Sequence, residues 1–257
     1  MPAGGPPLNW LAYTQSHPIA HAAFEWCAYF VGGRIYLRAR RAQPLALAAG
    51  DQLLLFGCTL FGAAAGSVAL HFAASYTVLS GLPPAGWIAG KSVLGGLLGG
   101  TIGTEVGKHY TGWRRPTGDA WVPALLAGLV IGRLGCQLAG TWDMTYGSPT
   151  GLPWGWDYGD GVRRYPTGLI EIGALLALAG WLYGAPSPLA GQRYNRFLGG
   201  YCLIRLFVDF LKPPYGAAAS GALVSVERAG VLTAIQWAAL AGAAWMALRS
   251  HQLRKVP

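Results

Sequence analysis

Apolar residues dominate seven windows of the chain, most of them close to 20 residues long. The windows lie near 18–37, 52–74, 86–107, 119–140, 166–185, 197–212 and 229–248. A helix of about 20 residues is as long as the hydrocarbon core of a bilayer is thick. The pattern therefore predicts an all-α, polytopic membrane protein with about seven transmembrane helices, which form one membrane-embedded domain over residues 1–257.

Basic residues are concentrated after alternate windows. The clusters at 38–41, 108–115, 193–196 and 249–255 hold eleven of the 19 Lys and Arg residues. Because cytoplasmic loops are enriched in Lys and Arg, this pattern predicts an N-terminus outside the membrane and a cytoplasmic C-terminus. It also places the long connection at about 141–165 on the outside.

The composition supports a membrane setting and argues against nucleic acid as a partner. The chain is 53% hydrophobic and 11% charged, with 39 Gly, which is too apolar for a soluble domain of this size. Lys and Arg outnumber Asp and Glu by 19 to 10, but they stand in short clusters between apolar runs. That distribution is typical of membrane topology signals.

Two arginines stand inside apolar windows, Arg133 in WVPALLAGLVIGRLGC and Arg205 in FLGGYCLIRLFVDFL. A guanidinium at the centre of a bilayer costs about 2.5 to 3.5 kcal/mol on insertion scales, so it normally faces a wet cavity or an anionic partner. Arginine stays protonated, and its planar fork of donors matches the oxygens of a phosphate. The pattern favours binding of a phospholipid headgroup.

Arg205 has further charged residues at helical spacing. Asp209 follows it by four positions and Lys212 by seven, so the three side chains share one helix face. An internal pair of Arg205 and Asp209 would reduce the cost of burial. In one interpretation the two residues only neutralise each other, and in the other they belong to a functional site.

Arg133 has no acidic residue nearby on its own helix, so its partner must come from another span, from water or from a ligand. Glu171, near the outer end of the fifth window, is a partner for either arginine or a group that takes a proton from a substrate. Alternatively, Glu171 only satisfies neighbouring backbone or Arg163. The sequence shows no spacing of metal ligands, and we expect no metal.

Glycines crowd the third window in the run KSVLGGLLGG. Small residues let helix backbones approach each other closely. Gly95 and Gly96 are therefore expected either to pack this helix or re-entrant segment against a neighbour or to line a headgroup site.

Five segments of the chain resemble the prolipoprotein diacylglyceryl transferase family, whose members are seven-span bacterial membrane enzymes. They are KSVLGGLLGG, GRLG at 132–135, GSPTGLPWG at 147–155, RYPTGLIE at 164–171 and GGYCLIRLFVDFLK at 199–212. The similarity covers about residues 88 to 215. Their order and spacing together carry the resemblance, because glycine-rich membrane segments are common.

The resemblance implies transfer of a diacylglyceryl group from phosphatidylglycerol to the lipobox cysteine of a prolipoprotein, in the bacterial inner membrane and without a cofactor. Arg133 and Arg205 fall on the family's essential arginines, and Asp209 stands where the family has Glu. We expect four catalytic residues, Arg133, Glu171, Arg205 and Asp209. Residues expected to bind substrate are Gly95, Gly96, Gly132, Gly135, Gly147, Tyr165 and Lys212.

The chain departs from the family pattern at several positions. Cys136 replaces the Asn that follows GRxG, Leu94 replaces a His, and Tyr165 with Pro166 replaces an HP pair. Two alternatives therefore stand beside the lipoprotein reaction. One is a related transferase with a different acceptor, and the other is a phospholipid-binding or transport protein without catalytic turnover.

Overall fold

The chain is mainly α-helical. The computed structural model describes residues 18–75, 90–142, 145–213, 215–217, 223–225, 228–229 and 232–254. Within these ranges there are seven α-helices: α1 (Pro18–Ala42), α2 (Ala49–Ala74), α3 (Val93–Thr111), α4 (Val122–Ala139), α5 (Thr167–Gly184), α6 (Gln192–Val208) and α7 (Ala234–Leu253).

Short 3-10 turns and two-stranded hairpins occupy the described connections. The 3-10 turns are Gly118–Trp121, Gly140–Trp142 and Asp209–Leu211. The antiparallel strand pairs are β1 (Trp156–Asp157) with β2 (Arg163–Arg164), β3 (Tyr215–Ala217) with β4 (Leu223–Ser225), and β5 (Arg228–Ala229) with β6 (Leu232–Thr233).

Each predicted window overlaps one helix. Three described segments combine the length and hydropathy that a membrane span needs, namely Ala49–Ala74, Gly118–Ala139 and Thr167–Gly184. Residues 86–89 of the third window lie outside the described residues, and the helix in that window begins at Val93, after the cap residue Ser92. The seventh window is wrong at its start, because Thr233 caps α7 by exchanging hydrogen bonds with Gln236, and strands precede it.

The helices α2 and α3 approach each other through their glycines. A Cβ placed on Gly99 would collide with the carbonyl oxygen of Gly62, and one placed on Gly95 would collide with that of Gly66. Contact between two backbones is possible only where side chains are absent. The helix packing proposed from the glycine run is therefore the arrangement that α3 adopts.

The most deeply buried apolar residues join α3 through α7. Tyr201, Phe197 and Leu198 of α6 are fully buried and cluster with Leu94 of α3 and Met246 of α7. By contrast, large apolar side chains on α1 and α2 are exposed, and Phe61 on α2 is 78% exposed. An apolar surface of this extent on long helices is typical of contact with lipid.

The basic clusters found in the sequence meet at one end of the helix bundle. Arg40 near the end of α1 donates to the carbonyl of Thr117, before α4. Asp119 accepts from the backbone N–H of Tyr194 at the start of α6. Arg249 near the end of α7 pairs with Glu105 near the end of α3 at 2.8 Å. We call this end the basic end.

Substitution of Gly99 by Ala should destabilise the protein, whereas the same substitution at Gly96 should not. The new methyl group at position 99 meets backbone, which cannot rotate away, and overpacking of this kind costs about 1 to 3 kcal/mol. At position 96 the nearest atoms are Ala63 O at 3.6 Å and Ser67 Cβ at 3.7 Å, an ordinary contact distance. Thermal unfolding of the purified variants in detergent measures the difference, and equal melting temperatures for G99A and G96A would contradict this packing.

Candidate active site

One buried carboxylate joins Arg133 and Arg205. Glu171 Oε1 lies 2.9 Å from Nε of Arg133, and Glu171 Oε2 lies 2.9 Å from Nη1 of Arg205. The side chain of Glu171 is only 1% exposed. Arg133 comes from α4, Glu171 from α5 and Arg205 from α6, so three helices converge at this point.

The predicted pair on α6 is present and extends to α7. Arg205 Nη2 lies 3.4 Å from Oδ1 of Asp209. The other carboxylate oxygen of Asp209 accepts a hydrogen bond of 2.7 Å from the hydroxyl of Thr233, the residue that caps α7. The group of Arg133, Glu171, Arg205 and Asp209 is called the ion cluster below.

Tyr201 also belongs with the ion cluster, although the sequence analysis did not select it. Its hydroxyl donates to Glu171 Oε1 at 3.2 Å, and the residue is fully buried. Tyr201 precedes Arg205 by four positions, so helical spacing from the arginine was the available signal. Thr233 had no comparable signal, because its contact depends on how α7 packs against α6.

Lys212 lies close to the ion cluster, and Gly132 and Gly135 lie on α4, the helix that carries Arg133. Lys212 is partly buried just after the 3-10 turn at 209–211 and interacts electrostatically with Glu171. A Cβ on Gly132 would meet no atom within 4 Å, whereas one on Gly135 would press against Phe24 of α1. Open space therefore lies beside Gly132, and Gly135 packs helices α1 and α4 together.

The predicted outside connection folds over the ends of α5 and α6. We call residues 145–166 the outer segment. The backbone N–H of Ser148 donates to the carbonyl of Leu211 at 2.7 Å, and the hydroxyl of Thr167 donates to that of Thr145 at 2.7 Å. Gly147 and Tyr165 face each other in this segment, where the Gly147 N–H donates to the Tyr165 carbonyl at 3.1 Å.

A hairpin closes the outer segment. Asp157 Oδ1 accepts from the N–H groups of Gly159 and Gly161, which both have positive φ angles. Asp160 pairs with Arg164 at 2.7 Å, and the hydrogen bonds from that guanidinium lower the pKa of Asp160 below its usual value. The Arg164 guanidinium also lies 5.0 Å from the centre of the Tyr146 ring. This segment is therefore ordered by its own polar contacts.

Two of the residues predicted to bind substrate lie in a helix contact. Gly95 and Gly96 face α2, next to Gly66 and Ala63 respectively. Their predicted contact with substrate stays a prediction. Leu94, at the position where the resemblance implies a His in the family pattern, is 1% exposed and belongs to the apolar core.

Glu171→Gln should destabilise the protein far more than Glu105→Gln. Loss of the Glu171 charge leaves two buried guanidinium groups without their shared counter-ion, and breaking a buried ion pair costs about 3 to 5 kcal/mol. Glu105 also contacts two cations, Lys108 and Arg249, but its side chain is 40% exposed, so its removal should cost less than about 1 kcal/mol. Melting temperatures of the two purified variants test this, and an equal decrease would contradict the bridging role of Glu171.

The chain is similar to known proteins of one family. The family model described as prolipoprotein diacylglyceryl transferase matches residues 20–248. A phosphatidylglycerol-prolipoprotein diacylglyceryl transferase from Aromatoleum aromaticum is 32% identical over 202 residues, which are 71% of this chain and 72% of the relative.

Shorter matches carry the same name. The Leifsonia xyli subsp. xyli protein is 41% identical over 86 residues, 33% of this chain and 25% of that relative. The Bordetella parapertussis protein is 35% identical over 136 residues, half of each chain. The matched part of this chain thus spans between a quarter and half of these two relatives. The match over residues 20–248 nevertheless covers nearly the whole chain, and the protein belongs to the prolipoprotein diacylglyceryl transferase family.

Proposed function

We propose that this protein transfers the diacylglyceryl group of phosphatidylglycerol to the lipobox cysteine of a prolipoprotein. The observation that carries the proposal is the convergence of Arg133 and Arg205, from separate helices, on one buried carboxylate. The names of the relatives give the same donor and acceptor. Arginines paired in this way are held in position before a phosphate arrives.

The proposed membrane arrangement has seven spans, the N-terminus outside and the C-terminus in the cytoplasm of a bacterium. The gathering of Arg40, Arg249 and the start of α6 at the basic end supports this orientation. Arg133 and Arg205 stand 11 and 13 residues after the first residues of α4 and α6 at that end. At 1.5 Å per residue they are roughly 16 to 20 Å from it, in the outer half of the membrane, and the whole chain forms one domain.

The proposed reaction requires stabilisation of the negative charge that develops on the phosphate of the donor lipid. The sulfur of the acceptor thiolate forms a bond to the glyceryl carbon, while the bond from that carbon to the phosphate oxygen breaks and glycerol phosphate leaves. Fixed guanidinium donors in a site of low dielectric constant stabilise this charge as it develops. Each guanidinium has five N–H donors, so pairing with Glu171 leaves further donors in each fork for the phosphate.

Asp209 is better suited than Glu171 to accept the thiol proton. Both oxygens of Glu171 already accept hydrogen bonds from guanidinium groups at 2.9 Å. Asp209 has a longer contact of 3.4 Å with Arg205 and a hydrogen bond from Thr233. We assign the role of general base to Asp209 and a positioning role to Glu171.

A second function, binding of phospholipid without turnover, is favoured by one observation. Leu94 is enclosed in the apolar core, so the imidazole that the family pattern has at this position is replaced by a group without acid or base chemistry. A transferase that uses an acceptor other than a lipobox thiol agrees with the same observation.

Arg133→Gln and Arg205→Gln should each lower the rate of transfer by about 100-fold or more, the usual effect of removing one donor to a developing anion. Arg196→Gln is the control, because Arg196 donates to the Pro186 carbonyl near the basic end, away from the ion cluster. Purified protein is incubated with labelled phosphatidylglycerol and a lipobox peptide, and the thioether product is measured. If the wild type forms no thioether but transfers the labelled group to another acceptor in bacterial membranes that contain it, the related transferase is favoured. If it binds the lipid and forms no product with either acceptor, the binding function is favoured.

Asp209→Asn should slow transfer in a manner that depends on pH. Without a general base the reaction depends on thiolate already present in solution, and a cysteine thiol has a pKa of about 8.5. The ratio of wild-type to variant rate should therefore be largest near pH 6.5 and should fall steadily toward pH 9. A constant ratio across this range would show that Asp209 acts only through structure.

A further inference from the structure

The side chain of Gln137 is buried one helical turn from Arg133 of the ion cluster, and its amide NH2 group makes no hydrogen bond to the residues that the structure describes. Gln137 is 7% exposed, and its Oε1 accepts from the hydroxyl of Tyr158 at 3.1 Å. Its Nε2 is fully shielded from solvent and has no hydrogen-bond partner among the residues that the structure describes. Buried amide groups are almost always satisfied, so an unsatisfied one in this position needs an explanation.

Tyr158 holds the amide in one orientation. Tyr158 belongs to the outer segment, is 4% exposed and donates its hydroxyl hydrogen to Gln137 of α4. With Oε1 bound to this hydroxyl, the NH2 group of the amide points elsewhere. Tyr158 therefore fixes the amide in place and leaves the two donor hydrogens of Gln137 Nε2 unused.

Gln137 lies directly outside Arg133 along α4. The two residues are four positions apart and share a helix face. On the facing helix, a Cβ at Gly168 would be 2.8 Å from Gln137 Oε1 and 3.4 Å from the carbonyl oxygen of Arg133. Glu171 follows Gly168 by three positions on the same face of α5. The amide thus stands about one turn from the pair of Arg133 and Glu171, on the side toward the outer segment.

We propose that Nε2 of Gln137 donates a hydrogen bond to a phosphate oxygen of the anionic phospholipid that the ion cluster binds. A phosphate oxygen accepts and does not donate, and it would satisfy the amide donor of Gln137 that the described residues leave without a partner. Gln137 is then a substrate-positioning residue that adds a neutral donor to the two guanidinium groups. This inference rests on the proposed function, because it takes the same lipid as substrate.

Gln137→Met tests the inference, and Tyr158→Phe is its matched control. Both substitutions remove the hydrogen bond between the two residues, but only Q137M removes the NH2 group and keeps a side chain of similar length. In mixed micelles, KM for phosphatidylglycerol should rise about tenfold in Q137M, with kcat reduced less than threefold, and should change less than twofold in Y158F. Equal changes in KM for the two variants would show that Gln137 only anchors the outer segment, and would overturn the proposal.

Gln137→Glu distinguishes whether the partner of Gln137 Nε2 is a phosphate oxygen or a glycerol hydroxyl. A carboxylate cannot donate and repels a phosphate, so Q137E should bind phosphatidylglycerol and phosphatidic acid more weakly than Q137M does. Binding of each lipid to the purified protein is measured by native mass spectrometry, together with the melting temperature of the lipid-free protein. Binding by Q137E equal to that of the wild type would overturn the assignment to phosphate.

The binding measurements also keep this inference apart from the proposed function. If the wild-type protein binds both lipids but forms no thioether product, the proposed reaction fails, while weaker lipid binding by Q137M than by Y158F in the same native mass spectrometry still decides the role of Gln137. If the reaction proceeds and Q137M binds phosphatidylglycerol as the wild type does, the reaction stands and the role of Gln137 is refuted.

Discussion

The bridge from Glu171 to both Arg133 and Arg205 is the interaction on which the site depends. Two guanidinium groups would repel each other in a medium of low dielectric constant, and neither can lose its proton. A single carboxylate between them offsets this repulsion and holds α4, α5 and α6 at one spacing. The geometry of the site and the packing of these helices therefore have the same cause.

Other polar contacts join the helices at both ends of the bundle. Thr233 links Asp209 to the first turn of α7, and Ser148 ties the outer segment to the turn that contains Asp209. At the basic end, Glu105 joins α3 to α7 through Arg249. These contacts lie where helices end, because unpaired backbone groups and polar side chains occur together there.

The positions of the helices could be predicted because a bilayer sets both the length and the hydropathy of a span. Helical spacing likewise predicted the pair of Arg205 and Asp209, and the cost of burying Arg133 predicted a partner from another span, from water or from a ligand, of which the structure shows Glu171 on another helix. Spacing could not decide between Glu171 as a bridge and Glu171 as a partner of Arg163, since that depends on how α4 and α5 face each other. The contacts of Thr233 and Tyr158 also depend on tertiary packing. The hydropathy of residues 229–248 did not predict the strands that precede α7, because short strands and helices can be equally apolar.

In the proposed reaction, the internal carboxylate also affects what happens after the chemical step. Glycerol phosphate carries more negative charge than the lipid it comes from, and a site with two bare arginines would retain it strongly. Because Glu171 already occupies donors of both guanidinium groups, any departing anion competes with a partner that is covalently part of the protein and never diffuses away. In that reaction, the same residue that assembles the site would also limit product inhibition and favour turnover.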